Sequence, residues 1–170
     1  MSMEILRSYI KENEGVKTRT YTDTTGHKTI GAGFNLETGD AKSKLAALGL
    51  SYEKVKSGKE QISKEQIDLL MQDSINRAVR DAVAVVPGFD QLNKDRQIVL
   101  IDLAYNLGRS GLRSFSKMLK AISSKNWDSA ADELRNSRWY VQTGRRARKN
   151  VEAMRTGKLS FYNSEKQGNV

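Results

Sequence analysis

Glu14, Asp23 and Thr29 are the residues of this chain whose types and spacing could do chemistry together. Glu14 stands where a helix should stop, just ahead of Gly15. Asp23 follows nine residues later, in the turn-forming run Asp23-Thr24-Thr25-Gly26, and Thr29 lies on the segment that returns from it. Two acids on different backbone elements across a groove are what glycosidic bond cleavage requires. One must carry a proton for the leaving oxygen, while the other is ionised as base or nucleophile. Glu14 is the candidate acid, a role that needs partial burial against apolar walls to raise its pKa. Asp23 is the candidate base, and Thr29 could offer its hydroxyl beside it to hold a water. Each also has an ordinary reading: Glu14 as a solvated carboxylate, Asp23 as plain turn chemistry and Thr29 as a strand former. Their combination, with room for one strand and a turn between the acids, favours the chemical reading.

The elements that must position them follow from periodicity. Ile5, Leu6, Tyr9 and Ile10 give a helix over about 3–13 one apolar face, and Gly15 ends it. From Val16 to Phe34 β-branched and aromatic residues alternate with Gly26, Gly31 and Gly33, which predicts a small antiparallel hairpin sheet. A short helix is expected over Asp40–Leu48, then a loop containing Gly49 and Gly58. Ser63 and Gln66 form a capping box that opens a long helix reaching about Ala82, closed by Pro87-Gly88. Asn93–Leu107 is apolar nearly all round and should be the buried core helix, with a turn at Gly108 and Gly111. Further helices are expected at Phe115–Ile122, Trp127–Asn136 and Arg145–Arg155, with both tryptophans in the core and a polar, frayed end from Ser160 to Val170. The class is therefore α+β in two lobes within a single domain, 1–170. A small sheet lobe (14–60) and a helical lobe (83–170) are joined by a connecting helix (61–82). The helix at 3–13 packs on the helical lobe, and the active groove lies between the lobes.

A net charge of +9, from 29 Lys and Arg against 20 Asp and Glu, predicts attraction to a polyanion. The run Arg145, Arg146, Arg148 and Lys149 is either a solvated helix face or a docking face for anionic envelope polymers. Nucleic acid is not the expected partner, because no recognition helix or interleaved aromatic stripe accompanies the basic run. Without cysteine, disulfides and thiolate metal sites are excluded. His27, the one histidine, lies in a turn beside Lys28, where a surface role suits it better than a nucleophile triad, and no metal is expected. The apolar run Ala82–Phe89 is far shorter than the ~18–20 residues of a membrane span. The amino terminus does not read as a secretory signal. A monomer made in the cytosol is expected. A non-enzymatic basic protein, binding nucleic acid or anionic envelope surfaces with an inert groove, is the alternative from another class.

The run from Glu14 through Asp23-Thr24-x-Gly26 to Thr29-Ile30-Gly31-x-Gly33 resembles the signature of the phage-type lysozymes, the muramidases of T-even bacteriophages and their relatives. The similarity continues at Trp127-Asp128-x-Ala130-Ala131, Ser137-Arg138-Trp139-Tyr140-x-Gln142-Thr143, Arg146-Ala147 and Arg155-Thr156-Gly157, in order along the chain. It implies a lysozyme-like fold and cofactor-free hydrolysis of the β-1,4 bond between N-acetylmuramic acid and N-acetylglucosamine in peptidoglycan. It further implies Glu14 as proton donor, Asp23 as general base and Thr29 as positioner of the attacking water, with inversion at the anomeric carbon. Inversion would place the carboxyl groups about 6.5–9.5 Å apart, and retention about 5–5.5 Å. The family's sugar-contacting positions correspond to Asn35, Tyr105, Met118 and Glu133, of which only the aromatic at Tyr105 keeps its type. Arg146 corresponds to an arginine beside the catalytic glutamate. Phe34 stands where the family usually has histidine. The implied biology is host-cell lysis, by an enzyme made in the host cytoplasm that reaches the wall through a separately encoded pore. Lytic transglycosylase chemistry would need no water-activating base, so Asp23 and Thr29 argue against it.

Overall fold

The structure is a computed structural model that describes residues 2–159; the end expected to fray, Ser160 to Val170, lies outside the described residues. The described chain is helical with one small antiparallel sheet, an α+β lysozyme-like fold. Contacts divide it into two compact units at Ser74–Ile75, within one long helix.

In the first unit, α1 (Met3–Glu14) starts where the Ser2 hydroxyl accepts from Ile5 N–H and stops at Gly15 (φ 69). It buries Leu6, Tyr9 and Ile10, as the i, i+4 spacing requires. Arg7 Nη2 donates to Gln72 Oε1 at 2.6 Å, and Lys11 pairs with Asp68, which ties α1 to the start of α4 (Lys64–Val85). The sheet consists of β1 (Lys17–Thr22), β2 (Lys28–Gly31) and β3 (Phe34–Asn35), in that order and antiparallel throughout. Its register pairs Tyr21 with Thr29 and Thr29 with Asn35, after an irregularity in β1 between Lys17 and Tyr21. Two short helices follow, α2 (Ala41–Ala47) and α3 (Tyr52–Lys56). The second forms where a loop was expected, because Ser51 caps it and Val55 anchors it in the core. The capping box that opens α4 is present: Gln66 N–H donates to Ser63 Oγ at 3.1 Å, and Ser63 N–H to Gln66 Oε1 at 2.9 Å.

In the second unit α4 ends, a 3-10 turn covers Phe89–Gln91, and α5 (Lys94–Arg113) follows. The chain breaks helical geometry at Gly108 (φ 72, ψ 179), so the expected turn is a kink inside α5. Residues 98–104 of α5 are all buried. Around it come α6 (Ser116–Ser123), α7 (Trp127–Arg135), α8 (Arg138–Thr143) and α9 (Arg145–Thr156), with α9 packed on α5, α7 and α8. Trp139 is buried and donates to Asn106 Oδ1 at 2.8 Å. Trp127 is only half-buried: the Arg96 guanidinium lies 3.8 Å over its ring while donating to the carbonyls of Met154 and Arg155 that end α9. No described helix is long and apolar enough to cross a membrane.

The charge is divided unequally between the two units. Residues 2–74 hold eleven Lys and Arg and eleven Asp and Glu, so the whole excess of +9 belongs to residues 75–170.

Candidate active site

Glu14 is the last residue of α1 and is half-buried. Its carboxyl group lies against the backbone of Gly33, where a Cβ would meet Oε2 at 3.1 Å and Cδ at 3.3 Å. Gly33 also has φ +77, a left-handed conformation that side chains resist. The turn between β2 and β3 therefore comes this close to the carboxyl group because residue 33 is glycine. Gly33→Ala is expected to cost about 1 kcal/mol in backbone strain. It should also displace the carboxyl group by a few tenths of an ångström, enough to lower turnover roughly tenfold. Chemical denaturation and steady-state rates measure the two effects separately.

Asp23 follows β1 at the turn, and its two oxygens have different surroundings. Oδ1 accepts from Thr25 N–H at 2.9 Å, Thr25 Oγ1–H at 2.8 Å and His27 N–H at 2.9 Å. Oδ2 has no hydrogen-bond partner among the described residues. The His27 backbone bond and then the Thr25 hydroxyl hold this carboxyl group below the usual carboxylate range, so it is ionised through the neutral range with one oxygen open. A base must be ionised to work. In Thr25→Ala the carboxylate loses a donor, its pKa rises, and the acid-side fall of the rate moves to higher pH. A pH–rate profile of the variant against the parent measures this, and an unmoved acid limb would separate Asp23 from the chemistry.

Thr29 is 3% exposed, at the centre of the sheet, with its hydroxyl donating to the His27 carbonyl at 3.0 Å. With that donor occupied, its oxygen remains able to accept from a water. Asn35 pairs with Thr29 on the other side. Its Oδ1 accepts from Glu37 N–H at 2.8 Å, which leaves the amide N–H groups to donate outward. His27, exposed as expected, sets its Nδ1 2.8 Å from Glu37 Oε2, and Lys28 N–H donates to the same oxygen at 3.1 Å. The His27 bond is the first reason the Glu37 carboxyl group lies below its ordinary range. This latch braces the turn whose backbone holds Asp23.

One residue passed over in the sequence belongs to this group. Tyr21 is half-buried, and its phenol is pushed up first by burial, then by the charges of Glu14 and Asp23, against a backbone hydrogen bond at Gly33. It reads as an ordinary strand former, and only the register reveals its neighbours.

The other expected site residues lie in the second unit. Met118 is buried on α6 and Glu133 half-buried on α7. Together they line a cavity of about 520 Å³ with Lys117, Arg138 and Trp139. Tyr105 is half-buried on α5 and is not part of that lining. Arg146, 7% exposed, is gripped by a fully buried carboxylate: its Nη2 lies 2.7 Å from Asp102 Oδ1 and its Nε 2.9 Å from Oδ2. Asn150, also fully buried, donates to Asp102 Oδ2 at 2.9 Å. Asp102 had a sequence signal, since it is the one charge within the apolar stretch 98–104. A charge in that setting must be paired.

A family model described as phage lysozyme matches residues 11–155. The chain is 30% identical over 166 residues to "Probable T4-type lysozyme 2" of Dictyostelium discoideum, an alignment covering 92% of this chain and 97% of that protein. It is 31% identical over 123 residues to the endolysin of Salmonella phage P22, covering 72% of this chain and 73% of that one. It is also 28% identical over 165 residues to the pre-baseplate central spike protein Gp5 of Enterobacteria phage T4, covering 92% of this chain but 28% of that longer protein.

Proposed function

The chain belongs to the phage lysozyme family and is a glycoside hydrolase, and from that premise we propose that it hydrolyses the β-1,4 bond between N-acetylmuramic acid and N-acetylglucosamine in peptidoglycan with inversion, as the endolysin of a host-lysis programme. The observation that carries the mechanism is the asymmetry of Asp23, one oxygen saturated by the turn and the other left to take a proton. In this reading Glu14 gives its proton to the glycosidic oxygen as the bond to the anomeric carbon breaks. Asp23 Oδ2 takes a proton from a water that attacks the same carbon from the opposite face, and Thr29 Oγ1 accepts the water's other hydrogen. Positive charge builds on the sugar ring at that moment, and the ionised Asp23 stabilises it.

Asn35, Tyr105, Met118, Glu133 and Arg146 are the proposed substrate-binding residues. The cavity beside Met118 and Glu133 supports a role in holding the glycan or its peptide substituents. The buried Asp102–Arg146 pair fixes the guanidinium rather than leaving it to search. Docking to anionic envelope polymers is proposed for residues 75–170, where all the excess charge is found. We further propose that the enzyme acts as a monomer, made in the host cytoplasm and released to the wall through a separate pore. The rival reading, a basic protein without catalysis, gives way to membership of a hydrolase family.

Product mass on purified peptidoglycan tests the reaction. Hydrolysis leaves a reducing-end muramic acid, whereas a transglycosylase leaves an anhydro sugar one water lighter. The anhydro product would overturn the proposal.

A further inference from the structure

Tyr21 sits where a substrate-contacting group would be expected, although nothing in its local sequence sets it apart. Its Cα pairs with that of Thr29 across β1–β2, and Thr29 pairs with Asn35 across β2–β3. Directly opposed residues of an antiparallel sheet project to the same side, so Tyr21, Thr29 and Asn35 form a transverse row of polar-tipped side chains. Tyr21 also stands two residues before Asp23, and alternate residues along an extended strand share a face. The irregularity of β1 between Lys17 and Tyr21 is the kind of local twist that re-aims a side chain next to a site. The ring is held from another direction, with Lys17 Nζ 5.6 Å from its centroid.

The hydroxyl is also prepared to donate. The phenol lies by the backbone of Gly33, the same glycine that lies against Glu14. Its own proton has no acceptor among the described residues. Burial first, and then the negative charge of Asp23, oppose its ionisation, so it keeps that proton across the range in which the enzyme works.

We infer that Tyr21 is a further catalytic residue of the glycosidase reaction, its phenol donating a hydrogen bond to an exocyclic oxygen of the sugar that is attacked at its anomeric carbon. This rests on the reading of Glu14 and Asp23 given above. The acceptor is exocyclic because donation to the ring oxygen would oppose the positive charge that builds there. Hydrogen bonds to the substituent at C2, an acetamido group in this sugar, strengthen as the ring flattens toward the transition state. The phenol therefore acts on turnover more than on binding.

Tyr21→Phe removes only the hydroxyl and keeps the ring under Lys17. On soluble wall glycan, kcat is expected to fall roughly tenfold or more, with KM within about twofold and the melting temperature unchanged. Tyr21→Leu, which also removes the ring, should lose stability and no more than a similar factor in kcat beyond that of the Phe variant. If Tyr21→Phe keeps parental kcat, or loses activity only in step with its melting temperature, the inference is overturned. Glu14→Gln run alongside separates the two levels. If that variant stays active, the whole acid–base reading fails. If it is dead while Tyr21→Phe is at parental rate, only the role of Tyr21 fails.

Discussion

Glu14→Gln is expected to clear permeabilised bacterial cells at a rate lower by roughly 10²–10⁴-fold, the range attributed to a positioned general acid, with the fold intact. The amide has the size and shape of the acid, so it fits the place against Gly33 where Oε2 now lies. What it lacks is a proton it can surrender to the leaving oxygen. Without that donation the departing sugar must leave as an alkoxide, and the barrier rises accordingly. Turbidity clearing gives the rate, and a thermal melt beside it shows whether structure was kept. A melt unchanged from the parent with clearing near the parental rate would remove Glu14 from the mechanism.

The largest expected effect on stability comes from the other unit. Asp102→Ala should lower unfolding free energy by about 3–5 kcal/mol, the usual result of deleting one partner from a buried ion pair. For a chain of this length that lowers the melting temperature by on the order of 10 °C. The size follows from what is left behind. Arg146 would keep its charge at 7% exposure without the carboxylate that faces it, and Asn150 would lose its bond to Oδ2 in a fully buried place. A fully buried aliphatic side chain such as Leu100 contributes about 1.5–3 kcal/mol. Loss of this one carboxylate therefore offsets roughly two of the residues that make up the core of α5. Urea unfolding with an unchanged slope measures the loss. A loss below about 1 kcal/mol would mean that Asp102 is not what holds Arg146.

How much of this was legible in the sequence depended on the range of the interaction. Local chemistry read directly: the Ser63–Gln66 capping box, the stop of α1 at Gly15 and the break at Gly108 are each determined by residues within one turn of themselves. The strongly apolar 98–104 stretch was legible as core for the same reason. Elements of five or six residues were not, because α3 and α8 are too short to show a 3.6-residue period and are held by the single caps Ser51 and Ser137. Trp127 misled because an aromatic at helical spacing suggests the core, whereas here its face serves the Arg96 cation.

The candidate site divides along the same line. That Asp23 lies in a turn is plain from Asp23-Thr24-Thr25-Gly26, but that one oxygen takes all three donors and the other none depends on how the turn closes. The row Tyr21–Thr29–Asn35 depends on an irregularity in β1, and a different register would have turned Tyr21 away. Asp102 announced that it needed a partner, yet Arg146 lies 44 residues away and only the packing of α9 on α5 brings it there.

The central claim, that Asp23 activates a water while Glu14 protonates the leaving oxygen, is tested most directly by proton magnetic resonance of soluble wall glycan in the first moments of digestion. The β-linked substrate should release muramic acid first as the α-anomer, with no anhydro sugar at any time. First appearance of the β-anomer would make Asp23 a nucleophile that attacks carbon, and an anhydro product would remove the attacking water altogether; either result contradicts the mechanism.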